Sequence, residues 1–155
     1  MIRTDKRLRI CTALLICNLA FIWGNSLMSA EVSQAFSDWV KSILTSLLSG
    51  GSSGSDEGGS GVLRKIAHFT EFSALGFLLS WRFGMLKKGW LPAFICGAAS
   101  ACIDETIQIF VPNRGPGILD VLLDCSGVLT GMLIAYLGHT YCKKKSTNHP
   151  SEESK

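Results

Sequence analysis

Charge is scarce in this chain, and the signatures of most familiar sites are missing. Only 17% of its 155 residues are Asp, Glu, Lys or Arg, against about 25% in typical soluble domains. With 47% hydrophobic residues, the chain is too apolar for an ordinary water-soluble domain of one small unit. The apolar runs lack strict alternation, which excludes a closed β-barrel. No basic stretch is interleaved with aromatics, so nothing points to nucleic acid. The six cysteines form no Cys-x-x-Cys pair with a matching partner and read as small apolar packing residues. There is no His-Glu-x-x-His, no nucleophile elbow and no triad pattern. The paired broken helices of secondary transporters are also absent.

What is present is a set of four apolar segments, about residues 9–29, 63–83, 90–110 and 118–138. A segment of about 21 residues makes a helix about 31 Å long, which matches a hydrocarbon core of ~30 Å. The sequence thus predicts an all-α fold, an integral membrane bundle of four transmembrane helices. Cationic residues divide unevenly around these segments. Arg3, Lys6, Arg7 and Arg9 precede the first or open it, Arg82, Lys87 and Lys88 fall between the second and third, and Lys143, Lys144 and Lys145 follow the fourth. Only Lys41, Arg64, Lys65 and Arg114 fall on the other side. The positive-inside rule then places the protein in the cell membrane as a multi-pass chain with both termini cytoplasmic. The first segment resembles a signal peptide in its basic start, but Leu27-Met28-Ser29-Ala30 is a poor small-x-small cleavage site, so an uncleaved helix is expected.

The remaining chain sorts by composition. Within residues 31–48, Val32, Phe36, Trp39, Ile43 and Leu47 recur at spacings of three and four, which predicts one extracytoplasmic amphipathic helix. Residues 49–61 read as a flexible Gly/Ser linker and residues 146–155 as a disordered cytoplasmic tail. The transmembrane domain thus covers residues 1–145. Short connections make the second and third segments antiparallel neighbours, and likewise the third and fourth. Pro112, Gly115, Pro116 and Gly117 predict a tight turn in the latter connection.

Three of the apolar segments carry acidic residues where lipid should be. Each ionisable group at mid-helix costs roughly 2.5–3.5 kcal/mol on insertion scales, and such residues mark functional sites by default. His68 and Glu71 lie near the start of the second segment, Asp104, Glu105 and Gln108 near the end of the third, and Asp120 and Asp124 near the start of the fourth. Because the chain reverses at each connection, all seven reach one level of the bundle, and the charge bias makes that level the outer half. Helical spacing also gives each segment one stripe: Arg64, His68, Glu71 and Leu75; Gly97, Ala101, Asp104 and Gln108; Asp120, Asp124, Gly127 and Gly131. The Gly127-x-x-x-Gly131 pair permits close helix approach. Glu105 points about 100° away from Asp104, so that one of the two is expected to face a different neighbour. Asn18, Asn25 and Ser26 in the first segment read as interhelical hydrogen-bonding residues.

Three readings of this cluster stand side by side. It is a structural ion-pair network, a binding site for a polar headgroup or wall precursor, or a site of chemistry. In the last, His68, Glu71, Asp104 and Glu105 are the candidate catalytic groups. A divalent metal as cofactor fits a site of carboxylates and one histidine, with Mg, Ca or Mn suited to the carboxylates and Zn or Fe admitted by the imidazole.

The runs Arg64-Lys65-Ile66-Ala67-His68-Phe69-Thr70-Glu71-Phe72, Asp104-Glu105-x-x-Gln108-x-Phe110-x-Pro112-x-Arg114 and Asp120-Val121-x-x-Asp124-x-x-Gly127 together resemble the VanZ-like family. The resemblance covers about residues 11–138. The Trp23–Ser29 segment is similar to the family's usual Ser-containing start, and Phe72 stands where many members have tyrosine. The family takes its name from a teicoplanin-resistance protein of Gram-positive bacteria. The resemblance implies an envelope protein that lowers sensitivity to lipoglycopeptides. Its expected partner is a membrane lipid or lipid-linked cell-wall precursor. Arg64 and Arg114 would engage phosphate, which guanidinium groups bind bidentately, while Gln108, Asp120 and Asp124 would complete the binding surface. An intramembrane enzyme acting on a lipid headgroup and a non-catalytic membrane scaffold are the alternative functions.

Overall fold

A computed structural model describes residues 2–28, 35, 38–40, 42–43, 59–85, 88–112 and 117–147. The described residues are helical, with no strand among them, and form α1 (Ile2–Ser26), α2 (Gly59–Met85), α3 (Leu91–Ile109) and α4 (Ile118–Thr147). Each helix contains one of the four apolar segments, apart from the last three residues of the first and single residues at the ends of the third. Two boundaries differ from the compositional reading. The second helix starts at Gly59, inside the stretch read as linker, because a first helical turn needs no intrahelical donors and so tolerates weak helix formers. The last helix runs two residues into the stretch read as tail. The amphipathic helix expected over residues 31–48 and the linker up to residue 58 lie largely outside the described residues.

Turn chemistry sets the reversals. Gly89 adopts φ 81°, a left-handed conformation that glycine takes at no steric cost. Pro92 lies in the first turn of α3, where its missing N–H would have no partner in any case. The helix closes with tight bonds from Phe110 N–H to Ile107 O and from Val111 N–H to Gln108 O, each 3.1 Å. Pro112 follows, and the residue before a proline is biased away from helix.

The centre of the bundle is α2, which packs against all three other helices. It runs antiparallel to α1, as two bonds show. Arg82 Nε donates to Thr12 Oγ1 at 3.1 Å near one end, and Asn25 Nδ2 donates to Glu71 Oε1 at 2.8 Å near the other. The tightest pair, however, is α2 with α4. These helices are not consecutive in the chain and run in the same direction. Their contact is made by backbone, because a Cβ on Gly127 would lie 2.7 Å from Phe69 O, while one on Gly76 would collide with Val128 O and one on Gly131 with Ser73 O. Gly97 brings α3 onto the same point, since its Cβ would lie 2.6 Å from a Val128 methyl. The small-residue stripe of α4 therefore serves the second helix as its main neighbour. The third segment, which sequence order makes a neighbour of the second, also packs on it, though less extensively.

The apolar core is a narrow seam of Leu15, Ile22, Phe72, Leu75, Ala101 and Val128 with their neighbours. Large apolar side chains also cover the outside: Leu14 and Phe21 on α1, Ile66 and Trp81 on α2, Ile95 and Ile103 on α3, and Leu129, Leu133 and Ile134 on α4 are all exposed. Two helical stretches, Lys6–Ser26 and Ile118–Tyr141, are long and apolar enough to cross a membrane. Only 11% and 28% of their most apolar windows are buried in the protein, so they are not the hidden core helices of a soluble fold. The two central helices fall short of that apolarity because they carry Arg64, Lys65, Glu71, Arg82, Asp104 and Glu105.

Candidate functional site

At the end where α2 and α4 begin and α3 ends, the polar side chains converge. Asp104 is fully buried, and each of its oxygens is held. Ser26 Oγ donates to Oδ1 at 2.5 Å, and Gln108 Nε2, one turn along α3, donates to Oδ2 at 2.9 Å. His68 Nδ1 stands 3.8 Å from Asp104 Oδ2 and 3.9 Å from Asp124 Oδ1. Those separations exceed a hydrogen bond, so the imidazole lies between two carboxylates from two other helices without closing on either. Asp124 is 1% exposed, and neither of its oxygens has a hydrogen-bond partner. Glu71 takes Asn25 on one oxygen, and its Oε2 is likewise buried without a partner. An unpaired buried carboxylate oxygen is costly, and Glu71 and Asp124 hold three of the six buried side-chain atoms without a hydrogen-bond partner among the described residues.

Toward the bundle's end the cluster opens into a shallow cleft lined by Arg64, Lys65, His68, Glu105, Gln108 and Asp120, with Leu123 and Asp124. Glu105 does face a different neighbour from Asp104, as the helical offset implied. Its Oε2 accepts the Gly117 N–H at 3.0 Å, one residue before α4. A carboxylate there satisfies a free donor and complements the positive end of the helix dipole. Lys65 Nζ lies 3.8 Å from Asp120 Oδ1. This pair sits on the exposed rim, where such a contact adds little stability.

Of the nine residues singled out from sequence, His68, Glu71, Asp104, Glu105, Gln108, Asp120 and Asp124 meet at this end, with Arg64 on the cleft wall. Arg114 lies outside the described residues. Asn25 and Ser26 form interhelical bonds as expected, but to the site's own carboxylates, so α1 belongs to the site, whereas the buried Asn18 Oδ1 has no hydrogen-bond partner. The position of Asn25 and Ser26 near the end of the first apolar segment, at the level of the acidic groups, was the available signal. Lys65 also reaches the cleft, directly beside Arg64 in the sequence.

The arrangement can balance buried negative charge, hold a cation between carboxylates, and present cationic side chains at the rim to an anionic group. Buried polar groups on four helices, wrapped in exposed apolar side chains, define an all-helical membrane protein with an internal polar site. The family model VanZ/LLP1 matches residues 11–139, and the chain belongs to this family. No curated protein and no solved structure shows a significant match to it.

Proposed function

We propose that this VanZ-family membrane protein spans the bilayer four times with both termini in the cytoplasm. In this reading its polar cleft opens at the outer leaflet and takes the phosphate-bearing headgroup of a lipid or lipid-linked wall precursor. By binding or altering that molecule, it lowers sensitivity to teicoplanin-type lipoglycopeptides.

One observation carries the reading. Arg64 and Lys65 stand at the cleft, and the adjacent stretches of α2 and α4 carry the strongly exposed apolar side chains Ile66, Ile118, Leu119 and Leu122. A notch that sets Arg64 and Lys65 at the rim, among Glu105, Asp120 and Asp124, beside apolar surface suits an amphiphile whose charged head meets the two cations while its chains stay in lipid. The one-sided distribution of Lys and Arg supports the orientation. The outward apolar faces of α2 and α3 support spanning despite their buried charges.

The test is expression in a susceptible Gram-positive host, with teicoplanin and vancomycin inhibitory concentrations compared. The series comprises wild type, Arg64→Ala, Glu71→Gln, Asp104→Asn and Arg114→Ala at matched membrane levels. Teicoplanin-selective protection should be graded down by Arg64→Ala and Arg114→Ala. Abolition by Glu71→Gln alone, in a folded protein, would instead favour the enzymatic reading. Absence of protection from well-expressed wild type would sink the resistance role.

A further inference from the structure

We propose that His68, Asp104 and Asp124 form a divalent-cation site inside the helix bundle. One nitrogen of His68 and one oxygen from each aspartate lie within 4.8 Å of one another. The residues come from α2, α3 and α4, the three helices that the glycine contacts lock together. Ligand atoms bonded to one ion at ~2.0–2.2 Å sit roughly 3–4 Å apart. The 3.8 and 3.9 Å separations from His68 Nδ1 are too long for direct bonds and have the span of two ligands across an ion.

Independent support comes from Asp124. Its carboxylate is 1% exposed, turns toward His68, and leaves both oxygens without a hydrogen-bond partner. A buried carboxylate in an apolar bundle needs a counter-charge. Among the described residues, Lys65 pairs with Asp120 on the exposed rim, Arg82 reaches Thr12 near the other end of the helix, and Arg64 lines the same cleft as Asp124 without a hydrogen bond to either Asp124 oxygen. A single doubly charged ion would neutralise Asp104 and Asp124 together and leave His68 to bind as neutral imidazole.

The surroundings match what metal ligands require. Ser26 and Gln108 hold Asp104 in place, one donor on each oxygen, as outer hydrogen bonds orient a ligating carboxylate. Gln108 and Asp104 are one turn apart on the same helix, so that support is built into α3. Glu71, whose Oε2 is buried without a partner, lies within electrostatic range of Asp104 and Asp124 and adds attraction for a cation. One imidazole with two carboxylates suits a first-row ion such as Mn²⁺ or Zn²⁺ over Mg²⁺ or Ca²⁺. The site does not depend on the headgroup reading, because it is measured with metal alone.

The experiment uses the full chain, purified through a histidine-free tag, stripped with chelator and placed in nanodiscs. Mn²⁺ is titrated and followed by electron paramagnetic resonance. Wild type should take up one ion per chain, and electron spin-echo modulation should show one coupled imidazole nitrogen. Asp124→Asn and His68→Gln should weaken uptake at least tenfold, with the nitrogen coupling lost in His68→Gln, while Ser126→Ala on the exposed face of α4 keeps wild-type binding. The wild-type nitrogen coupling needs no variant, so a poorly folded mutant leaves the test intact. Folded wild type with no saturable uptake, uptake without nitrogen coupling, or uptake unaltered in folded Asp124→Asn each overturns the site.

Discussion

Asp104 is the residue on which the helices close. Ser26 reaches it from α1 and Gln108 from its own helix, while His68 and Asp124 face it from α2 and α4. Removing the Ser26 hydroxyl leaves a buried carboxylate oxygen without its donor, at a cost of about 1–3 kcal/mol in water-soluble proteins and closer to ~0.6 kcal/mol for an average bond between membrane helices. Ser26→Ala should therefore lower the thermal midpoint in detergent by a few degrees, and the loss should shrink in an Asp104→Ala background. Equal losses in both backgrounds would mean that the bond contributes nothing. Glu105 permits a sharper comparison, because its role is to accept the Gly117 N–H. Gln at this position keeps an accepting oxygen and Ala does not. Glu105→Gln should then hold more of the thermal midpoint than Glu105→Ala, and the reverse order would assign the residue to charge and not to the turn.

Among the elements, the close fit of α2 to α4 decides the architecture. Gly76, Gly127 and Gly131 let backbone touch backbone, and this proximity places His68 opposite Asp124. Gly131→Val would push side-chain atoms into the Ser73 carbonyl, an overpacking cost of about 1–3 kcal/mol or more. Its midpoint should drop well below that of Gly84→Ala, a change into open space within a helix that ought to be neutral or slightly stabilising. Similar midpoints for the two would show that the helices separate without cost at this contact. The same elements show what was legible beforehand. The stripe Gly97, Ala101, Asp104 and Gln108 could be read from spacing because helical periodicity alone fixes which residues share a face, and all four are buried in α3. The partner of the Gly127/Gly131 stripe could not, since small residues permit close approach without specifying to whom. The share of α1 in the site was half legible, because the level of Asn25 and Ser26 follows from their place in the segment, whereas their partners Glu71 and Asp104 follow only from how the helices pack.

For the molecule as a whole, sidedness links the cleft to its proposed ligand. The polar cluster sits where α2 and α4 begin, and Lys88 lies beyond the opposite end, just after α2 finishes. If basic loops stay in the cytoplasm, Leu119, which is strongly exposed beside the cleft, faces the outside. Single cysteines at these two positions, in a chain whose native cysteines are replaced by alanine, read this directly. Leu119→Cys should react with a membrane-impermeant maleimide in intact cells, and Lys88→Cys only after permeabilisation. The opposite pattern would turn the cleft toward the cytoplasm and remove the lipoglycopeptide reading, because that drug acts outside. The helix packing and the cation site would stand, since both depend on contacts within the bundle and not on which leaflet the cleft meets.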